Sequence, residues 1–506
     1  MSRFQTVPIN IAGGTNKNRS RSLNSQRTVN FYPEQSEGGK SPFVLQSFPG
    51  QTAFGAAGFS GIIHDNGAYR MNERMYRVIS GILFLVLDTG VHVSKKTLIS
   101  QVGDTNPIKG KVSFADDGAN LVMVFKESAN DTTVAYSYIE ETETLIPLNT
   151  SPFDEANSVA YLNNQFLYFQ EKFWFVSNVG DPTTINGLNG AGAESYPDKI
   201  VRGYVFNQFV YILGERTTEV WYNSGVGKPP FERVQGRIFN VGLGAKESIA
   251  NNDSVMYWLG DDRKIYATTG GQAEVISTVS VTSDIESFDV VDDAVGFTFT
   301  FENQNFYAIT FPTAGKTWCM SEGLGKSGWF ELSSDANFEN DGKIDGIYNV
   351  FTAIECYGKI LMPIINSDDG GVNYLDVNAY SNGVKGGISK NLIRRNRTLA
   401  PITGDIAGVP GKRMQMSRFE LICEKGVGNI SGAGVDPKIM IEASYDGGKT
   451  FGHGTWMKIG RLGDNSVRAE WFSLKSFYEL TIRITTSDPV LYSLHAAAMD
   501  IRVAGR

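Results

Sequence analysis

An apolar run, a polar turn and a second apolar run return at near-regular intervals along this chain. The first runs begin near Met75, Leu121, Gln165, Gln208, Val255, Gln304 and Cys356, so successive starts are 46, 44, 43, 47, 49 and 52 residues apart. Within each unit the apolar residues alternate as they do in strands. Phe209-Val-Tyr211-Ile-Leu213 turns at Gly214-Glu215-Arg216 into Thr218-Glu-Val220-Trp-Tyr222. Val255-Met-Tyr257-Trp-Leu259 turns at Gly260-Asp-Asp262 into Lys264-Ile-Tyr266, and Phe166-Leu-Tyr168-Phe turns at Glu171-Lys172 into Phe173-Trp-Phe175-Val. These are β-hairpins. No stretch keeps a 3.6-residue apolar period over a helix length. A hairpin every 40–50 residues predicts a radial array, because one four-stranded sheet cannot bury both faces while sheets stacked around an axis can. The expected fold is therefore all-β: a β-propeller, with seven blades favoured and six the alternative if one start belongs to a flanking sheet.

The flanks of the repeat differ from it. Residues 1–54 carry a basic polar run, Lys17-Asn-Arg19-Ser-Arg21, and end in Pro33, Pro42 and Pro49-Gly50. They read as an extended N-terminal arm that needs a docking surface, with the basic run as a solvated loop. The propeller is expected over 55–380. A basic, Gly-rich linker is expected over 381–413, with Lys385, Lys390, Arg394, Arg395, Arg397, Lys412 and Arg413. Alternation resumes over 414–506, in segments such as Phe419-Glu-Leu421-Ile-Cys423 and Leu480-Thr-Ile482-Arg-Ile484, which predicts a small β-sandwich.

Composition removes several functional classes. Hydrophobic residues are 41% and charged residues 20%, which is a globular balance and not a disordered one. The longest nearly apolar run, Val78 to Leu87, is too short to span a bilayer as a helix. Met1 to Asn10 shows no secretory pattern. Cys319, Cys356 and Cys423 are too far apart for a Cys-x-x-Cys site or a disulfide framework, so synthesis in a reducing cytoplasm is expected. A net charge of −8 argues against a general duplex-DNA binder, whose affinity comes from neutralising phosphates.

No motif for chemistry survives inspection. Gly323-Leu-Gly325-Lys-Ser-Gly328 fits Gly-x-Gly-x-x-Gly, but Trp329-Phe-Glu331-Leu332 follows it as a strand where a dinucleotide site needs a helix. A P-loop needs glycine where Met320 stands. His64, His92, His453 and His495 are not at metal-ligand spacing, and no Gly-x-Ser-x-Gly elbow occurs. Asp261-Asp262 and Asp292-Asp293 read as turn acids. Catalytic, cofactor-binding and metal residues are accordingly assigned as none, and no cofactor is expected. Ser444-Tyr-Asp446-Gly-Gly448-Lys-Thr450-Phe451 resembles the Asp-box of sialidase-type propellers, a structural turn whose Asp caps backbone donors.

Two further stretches carry a family resemblance. Thr28-Val-Asn30-Phe-Tyr-Pro33-Glu precedes Gln46-Ser-Phe48-Pro-Gly50 and a hairpin with Tyr76-Arg77-Val78. Near the other end, the Asp-box is followed by Lys458-Ile-Gly460-Arg-Leu-Gly463, Arg468-Ala-Glu-Trp471 and Ser487-Asp488-Pro489-Val490. In this order they resemble the packaged-DNA stabilisation proteins, the tail hub or nozzle family, of short-tailed bacteriophages. The resemblance implies a non-enzymatic virion component, made in the bacterial cytoplasm and built into the tail as a homo-hexameric ring. Such a ring sits below portal and adaptor rings, extends the channel for double-stranded DNA, helps retain the genome, and carries tail spikes, fibres or a needle, without membrane insertion. A neutral or acidic lumen is expected, since a polybasic one would hold passing DNA. The competing reading is a glycan-binding or sialidase-like propeller, which needs a carboxylate pair and an arginine cluster in a central pocket.

Overall fold

Backbone pairing resolves the repeat into seven four-stranded units in a computed structural model, which describes residues 4–35, 42–58, 63–103, 105–192, 198–334, 346–365, 369–382, 391–472 and 475–504. Five units are self-contained antiparallel meanders, here blades 1 to 5, spanning 65–97, 108–147, 158–192, 200–239 and 250–275. Blade 6 spans 295–332. Blade 7 takes three strands from 354–376 and its fourth, Gly50–Gly55, from near the other end of the chain. The apolar starts at Met75, Leu121, Gln165, Gln208, Val255 and Gln304 fall at, or one residue from, the opening of the second strand of blades 1 to 6. Cys356 closes the first strand of blade 7.

Every pair of neighbouring blades encloses its own apolar core. Tyr76, Leu83 and Leu121 pack between blades 1 and 2, and Leu167, Trp174 and Ile212 between blades 3 and 4. Met75 and Val86 of blade 1 meet Leu361 and Val372 of blade 7, so the array closes into a ring. Closure removes the exposed sheet faces that an open array would leave, and this is why the apolar residues alternate so regularly. The one α-helix among the described residues, Val279–Glu286, lies between blades 5 and 6, and Thr278 caps it by accepting from the Val281 amide.

The C-terminal residues form a sandwich, and the N-terminal residues are part of it. One sheet contains Met414–Cys423, Ser493–Val503 and Ala469–Phe472, extended by Gln5–Ile9, Phe31–Gln35 and Phe43–Ser47. The other contains Lys438–Ser444, Glu479–Thr486, Arg395–Thr398 and Ser25–Val29. Val7, Ile9, Phe31 and Leu45 share its core with Phe419, Trp471, Ile482 and Met499. The extended arm expected over 1–54 is therefore corrected: its described residues are strands of both modules. They lack long alternating runs because each strand is short and meets partners hundreds of residues away.

The expected linker is corrected as well. Lys385 and Lys390 lie outside the described residues. Arg395–Thr398 is a strand between Ser25–Val29 and Glu479–Thr486, and Arg395 and Arg397 are completely buried. Arg397 has no carboxylate partner among the described residues. It donates to the carbonyls of Ile11 (2.7 Å) and Gly14 (3.1 Å), to Thr28 Oγ1 (2.8 Å) and to Gln26 Oε1 (2.5 Å). Burial pushes its guanidinium down to about 9, still charged at neutral pH. Arg395 Nη2 reaches the carbonyl of Phe48 at 3.0 Å. Arg395 and Arg397 thus bind the N-terminal segment and do not face solvent, whereas Lys412 and Arg413 are exposed.

The two modules are joined through one sheet. Val29 pairs in parallel with Glu331 of the last strand of blade 6, so that blade continues into the sandwich. The side chain of Glu331 is only 3% exposed and receives Arg27 (2.9 and 2.7 Å), Lys316 (2.6 Å) and Lys17 (3.5 Å). Burial alone would raise its carboxyl, but Arg27, Lys17 and Lys316 hold it well below the ordinary value. Removing one member of a buried ionic cluster costs about 3–5 kcal/mol, because the remaining charges lose their counter-charge. Glu331→Gln is accordingly expected to lower the urea-unfolding free energy by about 3 kcal/mol, and Lys316→Met by less than half of that, since Arg27 and Lys17 stay in place. Equal losses in the two variants would contradict this account.

Acid should weaken the fold in two stages. His92 in blade 1 is held down to about 4 by burial and by the nearby Arg77. An unfolded histidine takes up its proton near pH 6.5, so the unfolded state binds more protons between that pH and about 4, and stability falls as pH drops through this window. The depressed carboxyl of Glu331 adds stability that is complete above its unfolded value and is lost at still lower pH. Thermal melts from pH 7 to 4 should show a falling Tm, and His92→Gln should flatten the part above pH 5.

Candidate functional site

The blades surround an axial cavity of about 290 Å³, lined by the first strands of blades 1, 2, 4, 5 and 6 and by Phe351 and Thr352 ahead of blade 7. Blade-to-blade bonds at the repeat spacing set its walls. Tyr69 donates to Asp116 at 2.8 Å, and Tyr204 to Asn251 Oδ1 at 2.6 Å. Thr298 donates to the carbonyl of Asn251 at 2.7 Å, and the Gly203 amide to Ser158 Oγ at 3.2 Å. Each bond joins residues 45 to 47 apart, so a side chain of one blade meets the equivalent strand of its neighbour. The same side chains that pack the blades therefore define what faces the axis.

One end of the axis is charged. Asp65, Lys111, Asn157, Arg202 and Glu247 occupy equivalent places just before or within successive first strands, at intervals of 46, 46, 45 and 45 residues. Arg77, fully buried, donates to Asp65 Oδ2 through Nε (2.9 Å) and Nη2 (2.5 Å), and through Nη1 to the carbonyl of Gly370 in blade 7 (2.6 Å). It thus spans the seam at which the ring closes. Lys111 Nζ donates to the carbonyl of Asp65 at 2.8 Å and lies 4.8 Å from the centre of the Phe351 ring. Arg202 meets Glu247 at 2.5 Å, and Lys246 crosses from blade 5 to the carbonyl of Asn157 at 2.6 Å. Burial would raise the carboxyls of Asp65 and Glu247, but their cation neighbours hold both below the ordinary range.

The sequence reading missed this ring, because no two of its members are close in the chain. The signal was available in a comparison of equivalent positions of the repeat, where the residue types read Asp, Lys, Asn, Arg, Glu. Further along the axis the wall is aromatic, with Tyr69 stacked on Phe114 at 5.5 Å, and burial raises both Tyr69 and Tyr204. Charge-paired walls and side chains across the axis suit a packed hub more than an open conduit.

The motifs weighed in the sequence lie elsewhere. Glu322–Gly328 is a 3-10 turn leading into the strand Trp329–Leu332, as a blade loop should be. Asp261 accepts from the Gly242 amide at 2.8 Å. Asp262 accepts from Lys264 Nζ and the Tyr266 hydroxyl, and Asp293 from the Thr313 amide, so these are turn acids. His64 and His92 belong to blade 1, and His453 and His495 to the sandwich. No group of three or more His, Cys, Asp or Glu side chains suited to a metal occurs among the described residues. In the Asp-box, Asp446 accepts from the amides of Lys449 and Thr450 and from the Thr450 hydroxyl, and Ser444 Oγ from the Gly448 amide. These bonds hold its carboxyl far below the usual range, although burial opposes them. A side chain at Gly447, whose φ is +75°, would meet Ser22 Oγ at 2.9 Å, so the turn is a close-packed seat for the N-terminal segment.

Comparison with known proteins gives one family and several distant solved structures. No curated protein matches the chain. The bacterial surface component PorZ of the type-IX secretion system of Porphyromonas gingivalis is 13% identical with a TM-score of 0.38, over 81% of this chain and 46% of PorZ. The extracellular domain of the putative one component system BT4673 from B. thetaiotaomicron is 10% identical with a TM-score of 0.41, over 83% of this chain and 48% of that one. The N-terminal domain of Nup159 is 11% identical with a TM-score of 0.36, over 73% of this chain and 98% of that domain. The chain thus spans less than half the length of PorZ and of the BT4673 domain. The family model described as bacteriophage P22 Gp10, beta-propeller, matches residues 5–377, which run from the first sandwich strand through all seven blades. The chain belongs to this phage stabilisation family.

Proposed function

We propose that the protein is a structural component of a bacteriophage tail, a hub or nozzle subunit of the virion that forms a homo-hexameric ring, extends the portal channel and helps retain packaged DNA. The observation that carries this reading is the family match, which includes the N-terminal strands as well as the blades. Sheet continuity between propeller and sandwich supports it further, because two modules joined through one sheet are suited to close packing in a closed ring. Duplex DNA runs between copies in this reading and not along the propeller axis, whose charged cavity of about 290 Å³ is too small for a duplex. Portal and adaptor rings contact one rim of the assembly, and spikes, fibres or a needle contact the outer surface and the other rim. The subunit breaks no bonds in DNA or glycans.

Mass photometry of the purified chain, alone and with portal–adaptor assemblies from its own virion, tests the assignment. The expected result is a species six subunits heavier than the bare portal–adaptor assembly. Absence of ring association, together with turnover of a sialoside or other glycoside, would overturn it.

A further inference from the structure

Among the described residues of the hydrogen-bonded cluster at the charged end of the axis, cations outnumber carboxylates: Arg77, Lys111, Arg202 and Lys246 stand against Asp65 and Glu247, four against two. Arg77 engages Asp65 through two nitrogens, and Arg202 engages Glu247, so each carboxylate already has its own guanidinium. The ammonium groups of Lys111 and Lys246 are left with backbone carbonyls, at 2.8 and 2.6 Å, and the Asp65 carboxylate comes no closer to Lys111 than 3.9 Å. Asp116 does not offset them, because it lies five residues along its strand from Lys111, roughly 16 Å away.

Two features make this surplus a site and not merely an unfavourable contact. The side chains of Lys111 and Arg202 both line the 290 Å³ cavity and are only 17% and 15% exposed. The Arg202 Nε–H is buried and has no hydrogen-bond partner among the described residues. A buried donor left unmade is costly, and so is a buried cation without a counter-charge. One oxygen-bearing anion in the cavity relieves both. Burial pushes the ammonium groups of Lys111 and Lys246 down, and the pull of Asp65 and Glu247 on the first and of Glu247 on the second offsets this only in part.

We propose that this end of the axial cavity binds a small tetrahedral oxyanion of the phosphate or sulfate class, held by Lys111 Nζ and Arg202 Nε. The Phe351 ring beside Lys111 limits its room, and the anion is a counter-ion of the hub that ties blades 2 and 4 across the axis. Charge-assisted bonds of this kind are the strong ones in a poorly solvated setting.

Calorimetric titration of the full-length protein with inorganic phosphate, at constant ionic strength set by chloride, tests binding. Crystals soaked in selenate, which scatters anomalously, test location. The expected results are a saturable isotherm, a selenate peak beside Lys111 and Arg202, and at least tenfold weaker phosphate binding in Lys111→Gln and Arg202→Lys. The second variant keeps the positive charge and replaces the planar guanidinium, with its Nε–H, by a single ammonium group. Absence of saturable binding by the wild type overturns the proposal, as does a peak elsewhere or unchanged affinity in either folded variant. If neither variant folds, the isotherm and the position of the peak decide.

Discussion

An unpaired strand edge has to be covered or closed, and in this chain the covering is done by residues that come first in the sequence. Gly50–Gly55 supplies the outer strand of blade 7, and Ser25–Val29 lies beside the outer strand of blade 6. The same segment donates Gln5–Ile9 and Phe43–Ser47 to the sandwich. Ring closure and module joining therefore rest on one stretch of backbone. Its apolar side chains, among them Val7, Ile9, Phe31, Leu45 and Phe48, are buried in the cores of both modules, and charged side chains bind it further. Glu331 collects three cations from three strands, and Arg397 supplies four donors to the backbone and side chains between Ile11 and Thr28.

Those two anchors differ in kind. Glu331 is a charge surrounded by opposite charges, so the cluster withstands loss of one cation better than loss of the carboxylate itself. Arg397 is a buried charge satisfied only by neutral acceptors. Its planar fork suits this, since the donors diverge in fixed directions and reach carbonyls that a lysine would not reach together. A buried guanidinium with neutral partners adds little net stability, but it penalises any arrangement in which the N-terminal loops are elsewhere. The same logic applies at the ring seam, where Arg77 ties Asp65 of blade 1 to Gly370 of blade 7.

How much of this was legible in the sequence follows from how local each signal is. A blade is made of hairpins, so its alternation and turns sit within forty residues, and Met75 or Gln165 could be placed on a strand from neighbours alone. The Asp-box turn was legible for the same reason, since Asp446 caps donors three and four residues on. The N-terminal strands were not legible, because Val7 meets Met499 and Arg27 meets Thr398. Arg395 and Arg397 misled because charge normally marks solvent, and only the fold reveals that acceptors wait for them inside. The axial ring of Asp65, Lys111, Asn157, Arg202 and Glu247 is intermediate. Each member is ordinary in its own context, and only superposition of the repeat shows that they face one another.

Regularity of the repeat and irregularity of its axis are two sides of one constraint. Positions between blades must be apolar in every unit, since each buries the next, and they vary little in character from Leu121 to Leu167 to Ile212. Positions facing the axis are released from that demand, because only a few side chains meet there and each must match a different neighbour. A ring of equivalent positions can then hold Asp, Lys, Asn, Arg and Glu without disturbing the blades. In a family whose members serve as phage structural parts, freedom of this sort matters more at the rims and edges than at the axis. Among the described residues no strand pairs with the outer strands of blades 1 to 5, whereas Ser25–Val29 of the sandwich pairs with the outer strand of blade 6 and Ser381–Asn382 with that of blade 7. Covering two adjacent blades and leaving five open gives the ring two unlike sides, which is the asymmetry a subunit needs when it meets different neighbours on different faces.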